Sequence, residues 1–243
     1  MLLTIAPDHH DTCTPTMGAP AASPALSVAR TPSRPADQPW FDAFVEGFRL
    51  WTGDDGTPRD PDRAVPLLCD AARLGHGGSA LLLANVFDDL AQDAAEHEDT
   101  RTARTFTRLS IVYRTAAFWS NSDDPSVELD HESKADWDVA RAAPREPRLW
   151  DAIDAMCGRS GADHCPDPSA AMRGFEALAE DHPVHAGLLA SVAAEEAAEC
   201  SQNPSDARAL MERARAHLLR SASAGNRAAQ KRLFVARAGA TSA

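Results

Sequence analysis

Apolar positions first recur at helical spacing near Trp40. Phe41, Phe44, Val45, Phe48 and Trp51 line one face of a predicted helix, and Gly53 and Gly56 end it. A second helix starts at Asp60-Pro61, a capping residue followed by proline, continues through Val65, Leu67, Leu68, Ala71 and Ala72, and stops at Gly75. Pro66 is easier to accommodate if the regular helix begins a residue or two after Pro61, with Pro66 in its first turn. A third helix is predicted from Ser79, carrying Leu82, Leu83, Val86, Phe87 and Leu90. A fourth runs from about Thr100 to Trp119, with Phe106, Leu109, Val112, Tyr113 and Ala116 on one side.

The acidic run Asp123 to Glu132 reads as loop, and Pro144 and Pro147 break the stretch after it. Leu149, Trp150, Ile153 and Met156 then form a short helix ending at Gly158. The last third repeats the same grammar. Asp167-Pro168 opens a helix with Met172, Phe175 and Leu178, and Pro183 opens another with Leu188, Leu189 and Val192. Asn203-Pro204 opens a third with Leu210, Met211, Ala214, Leu218 and Ala222, stopped at Gly225; Leu233 and Val235 mark a final helix. No window alternates with period two, so the expected fold class is all-α.

Three windows repeat: Gly75 to Ala84, Asp181 to Ala190 and Gly225 to Phe234 each join a helix stop, a polar His or Asn, and a following helix with Leu at a fixed offset. With a fainter copy near Asn121, the equivalent positions 76, 121, 182 and 226 are separated by 45, 61 and 44 residues. The longer interval contains the acidic connector, which reads as an insertion. A lone helical hairpin cannot bury its apolar face, but stacked hairpins bury each other's, so the pattern predicts an α/α solenoid of helix-turn-helix units.

Residues Ala43 to Ala84 resemble a Sel-one-like repeat, a relative of the tetratricopeptide repeats. The matching residues are Gly47, Trp51, Gly53, Gly56, Asp60, Ala64, Ala71-Ala72, Gly75-His76 and Leu83. Ala222 to Leu233 resembles the end of such a unit, and residues 100 to 200 depart from the pattern. The resemblance implies a helical solenoid acting as a protein-binding adaptor or scaffold, without shared catalytic residues. The domain expectation is a leader at 1–36, Sel-like repeats at 37–120, a connector or insertion at 121–147 and degenerate repeats at 148–243.

The leader is read as disordered, because Pro7, Pro15, Pro20, Pro24, Pro32 and Pro35 lie among Ser, Thr and Ala with little apolar surface to collapse. An alternative reading makes it the export segment of a bacterial secreted effector.

The net charge of −12 argues against nucleic acid and anionic membranes as main partners. No apolar run approaches the ~20 residues that span a bilayer, so membrane insertion is not expected. Five scattered cysteines (Cys13, Cys69, Cys157, Cys165 and Cys200) do not make a disulfide framework. The expected compartment is cytoplasmic, or outside the cell by a non-Sec route.

Cys157, His164, Cys165, His182 and His185 make a metal-binding module a further alternative, but seven residues separate the two cysteines and two separate His182 from His185. Both intervals depart from common zinc spacings, so no metal is expected. Cys157 and Cys200 are instead expected to pack as small apolar groups. The pairs Asp54-Asp55, Asp88-Asp89, Asp123-Asp124 and Glu195-Glu196 join no acid/base motif and are expected mostly to face water. No phosphate loop, dinucleotide fingerprint or nucleophile elbow occurs, so neither enzyme activity nor a cofactor is expected. Trp119 and Trp137 are the candidate protein-contact residues, since Trp is enriched at binding hot spots; Trp150 lies on an apolar helical face and is assigned to the core.

Overall fold

The computed structural model describes residues 39–53, 56–119, 146–159 and 165–240, all within the unit Ala36–Ala243. The helices are α1 (Phe41–Thr52), α2 (Pro61–Arg73), α3 (Gly77–Glu96), α4 (Thr100–Ala117), α5 (Pro147–Cys157), α6 (Pro168–Ala179), α7 (Pro183–Cys200), α8 (Pro204–Ser223) and α9 (Arg227–Ala240). There is no strand among the described residues, so the described part of this unit is all-helical. The leader and the core of the connector lie outside the described residues; Pro147, placed in the connector, is the first residue of α5.

The helix starts follow from capping chemistry. Asp60, Asp99 and Asp167 each accept, through the side chain, the backbone N–H three residues on, while Asn203 and Glu146 accept it two residues on. Proline follows the cap in α2, α5, α6, α7 and α8, where its missing N–H would have had no helical partner. Two predicted boundaries shift. Helix α3 begins at Gly77 rather than Ser79, because His76 is the cap and its Nδ1 accepts from the Ser79 N–H at 3.2 Å. Helix α2 begins at Pro61 and runs through Pro66. Pro66 supplies no N–H, yet its carbonyl accepts from Arg159 Nη1 at 3.1 Å.

Helix ends use the left-handed turn that satisfies the last carbonyls. Gly75, with φ 101°, donates to Ala72 O, and His76 N donates to Ala71 O. Gly225, with φ 103°, donates to Ala222 O, and Asn226 N donates to Ser221 O. Asn226 Oδ1 then accepts the Ala229 N–H as His76 accepts that of Ser79. The window at 181–182 differs: its N–H groups donate to Leu178 O, and His182 makes no side-chain cap.

Consecutive helices pack on one another from α1 to α4 and again from α5 to α9, and α4 also packs on α7. Helices α3 and α7 bury the same pattern. Ala80, Leu83, Ala84 and Val86 are fully buried, and so are Ala186, Leu189, Ala190 and Val192, each 106 positions on. Small residues permit the close approach: a Cβ on Gly187 would sit 3.1 Å from Ser221 Cβ, and one on Gly174 only 2.8 Å from Ala152 Cβ. One core joins all these helices beyond α1, with Tyr113, Phe175, Leu83, Leu149 and Leu188 among its largest fully buried side chains. Among the described residues no helix is long and apolar enough to cross a membrane.

Candidate functional site

Tyr113 of α4 lies where α2 and α5 meet. Its hydroxyl is 3.0 Å from Cys69 Sγ on α2 and 3.4 Å from Cys157 Sγ on α5. The two cysteines flank Tyr113 in sequence at equal distances of 44 residues. Burial pushes the Cys69 thiol up to about 11 and the Cys157 thiol up to about 12, and raises the Tyr113 phenol well above its ordinary value. All three stay protonated at neutral pH, so this cluster ties helices together and offers no thiolate nucleophile. Beside it, Arg159 bonds Asp70 at 2.5 Å, while Arg73 bonds Asp151 at 2.8 Å and also pairs with Asp154, joining α2 to α5 and the turn after it.

A second polar cluster joins α4, α7 and α9. Arg108 Nη1 bonds Glu196 Oε2 at 2.5 Å, Arg108 Nη2 bonds Glu199 Oε1 at 2.7 Å, and Thr105 Oγ1 donates to Glu196 Oε1 at 2.9 Å. Arg232 on α9 grips both oxygens of Glu195. Hydrogen bonds from Arg108 hold the Glu199 carboxyl below its usual range. This corrects the expectation for Glu195-Glu196: Glu196 is only 8 % exposed, because α4 delivers a cation to it. Asp88 likewise pairs with Arg114 at 2.5 Å. A signal for Arg108 was present in the sequence, since it stands one turn before Val112 on the buried side of α4, as Glu196 stands one turn after Val192 on α7. A third cluster joins α8 to α6, where Glu176 accepts from Arg213 at 2.6 Å and meets His217 Nε2 at 2.7 Å.

Trp119 is buried at 6 % exposure, its ring 5.3 Å from His182 and 5.7 Å from His185. Burial lowers the His185 pKa to about 4, and its Nε2 has no hydrogen-bond partner among the described residues. Trp150 is in the core at 2 % exposure. Trp137 and His164 lie outside the described residues. The structure brings His182 and His185 to Trp119 and Cys157 to Tyr113. Among the described residues, no group of three or more His, Cys, Asp or Glu could hold a metal ion. Cys200, expected to pack as a small apolar group, is exposed at the last residue of α7, where that helix leaves the core.

The apolar surface lies elsewhere than the tryptophans. Phe234 is 73 % exposed, Val235 61 % and Met211 50 %, and Leu219 is also exposed. Met211, read from the pattern as one of the apolar positions of its helix, and Val235, read as marking the final helix, thus face water, because the described residues leave that side of α8 and α9 open. No protein-family model, curated protein or solved structure matches the chain.

Proposed function

We propose that this protein is a protein-binding adaptor or scaffold built from stacked Sel-like helical hairpins. The observation that carries the reading is the recurrence of a buried segment with the same residue types at the same offsets: Ala80, Leu83, Ala84 and Val86 in α3, and Ala186, Leu189, Ala190 and Val192 in α7. Equal burial at equal offsets is what a repeated two-helix unit produces when neighbours cover it on both sides. The matching turns at Gly75-His76 and Gly225-Asn226 support the same unit. So does the 44-residue register of Cys69, Tyr113 and Cys157, close to the 45- and 44-residue intervals between repeat windows in the sequence. The buried ions Arg108, Arg114 and Glu196 are held in ion pairs, while large apolar side chains stand in water at α8 and α9. That division suits a molecule whose work is done by its surface.

The test is reconstitution. Proteins captured by the full-length chain are purified and titrated back in a calorimeter. A partner that binds at fixed stoichiometry supports the reading. Recovery of no such partner under native salt overturns it.

A further inference from the structure

The open side of the α8–α9 hairpin differs in charge from the rest of the molecule. Residues 204–240 contain eight Lys and Arg against two acidic residues, Asp206 and Glu212, a formal charge of +6. Since the whole chain carries −12, the remaining residues together carry −18. The cations are interleaved with the exposed apolar side chains. Arg208, Met211, Arg215 and Leu219 fall at i, i+3, i+7 and i+11, one exposed stripe of α8. Lys231, Phe234 and Val235 form the exposed stripe of α9. Arg208, Arg215 and Lys231 form no ion pair among the described residues, in contrast to Arg213 and Arg232, which are bound to Glu176 and Glu195. Helices α8 and α9 are packed neighbours, and Gln230 Nε2 donates to Ala222 O across the hairpin, so Phe234, one turn further on, stands level with Leu218 and Leu219 along the helix axes.

We propose that this face docks an acidic amphipathic helix of a partner protein, an inference that rests on the adaptor reading above. The occupant is a helix because α8 and α9 have used their backbone N–H and C=O groups internally. They offer no edge to an extended peptide, so the guest must satisfy its own backbone bonds. Its apolar residues cover Met211, Leu219, Phe234 and Val235, and its flanking carboxylates meet Arg208, Arg215 and Lys231. An extended polyanion is a poorer match, because duplex nucleic acid or an anionic bilayer reaches past one hairpin toward the rest of a chain whose remaining residues carry a formal −18.

The probe is a synthetic helical peptide of about 20 residues, long enough to hold a helix, with Leu on one face and Glu flanking it. A second peptide has the same composition with its order scrambled. Fluorescence anisotropy against the full-length chain is expected to show saturable binding of the amphipathic peptide, weakened by added salt. The double variant Phe234→Asp with Arg215→Glu should raise Kd by at least about tenfold, with unchanged helical circular dichroism because both residues are exposed. Reversing an exposed charge on α3 with Asp89→Lys should leave binding intact.

The proposal is overturned if neither peptide binds, if both bind alike, if the double variant binds as well as the parent, or if duplex DNA or anionic vesicles bind more tightly than the amphipathic peptide. Should the peptide fail while a reconstituted partner still binds at fixed stoichiometry, this docking surface is refuted and the adaptor reading survives. The adaptor reading falls only when reconstitution yields no partner.

Discussion

Arg108 on α4 and Glu196 on α7 meet at 2.5 Å across 88 residues of chain, and both are buried. A cation and a carboxylate taken out of water repay their desolvation only through one another and through added hydrogen bonds, here from Thr105 and to Glu199. The pair is thus a poor source of net stability but a demanding constraint on how α4 and α7 sit. Removing one member leaves the other uncompensated. Arg108→Ala is expected to destabilise the fold by about 3–5 kcal/mol, read as a fall in the urea midpoint. Arg108→Met combined with Glu196→Gln should recover much of that loss, since neither residue then carries a buried charge. A double-variant loss equal to the sum of the Arg108→Met and Glu196→Gln losses would show that the charges are uncoupled.

Stability should fall on mild acidification. Burial lowers His76 and His185 to about 4, whereas the unfolded chain titrates near 6.5. Between those values the unfolded chain binds more protons than the folded one, so stability declines as pH drops below about 6.5 and levels off near 4. Each ring contributes at most about 1.4 kcal/mol per pH unit, less where water screens it. His76 adds a structural reason: its ring stacks on Trp40 at 3.8 Å and its Nδ1 caps α3, a role that protonation ends. Glu199, whose carboxyl is held low by Arg108, loses its contribution only below the ordinary carboxylate range, near 4.5. His97, exposed and raised by Asp93, works in the opposite direction. Urea midpoints measured from neutral pH to pH 4 should therefore decline from the histidine range onward, and His76→Asn should flatten the curve.

What the sequence made legible was the local grammar. Asp60-Pro61, Asp167-Pro168 and Asn203-Pro204 announce helix starts because cap and proline act within a few residues, and all three hold. Tyr113 and Trp150 also fall inside, on the faces their spacing gave them. Three kinds of information were not local. The buried state of Glu196 depends on Arg108, 88 residues away. The exposure of Met211 depends on whether another helix covers that side of α8, which periodicity cannot report. The meeting of Cys69, Tyr113 and Cys157 depends on how α5 returns to α2 and α4.

Helices α5 and α6 approach too closely for another methyl group. A Cβ at Gly174 would stand 2.8 Å from Ala152 Cβ. Gly174→Ala should cost about 1–3 kcal/mol through overpacking, despite alanine's better helix propensity. Ala152→Gly placed in the same chain should restore part of the loss, because the clash involves one methyl on each side. A double-mutant cycle measured by thermal melting checks this: a coupling near zero would mean the helices separate without penalty.

The thiols should differ sharply in reactivity. Cys69 and Cys157 are pushed up to about 11 and about 12, so at pH 8 almost none of either is thiolate, and Tyr113 lies against both. Cys165 and Cys200 are exposed. Alkylation of the folded protein by iodoacetamide, followed by peptide mass spectrometry, should modify Cys165 and Cys200 first and leave Cys69 and Cys157 until urea unfolds the chain. Tyr113→Phe separates burial from hydrogen bonding as the cause. It removes the hydroxyl and keeps the ring, so the thiols should remain protected while stability falls by about 1 kcal/mol. If Cys69 instead becomes as reactive as Cys200 in that variant, the hydroxyl rather than the packing shields the sulfur, and the junction of α2, α4 and α5 is more open than the fold implies.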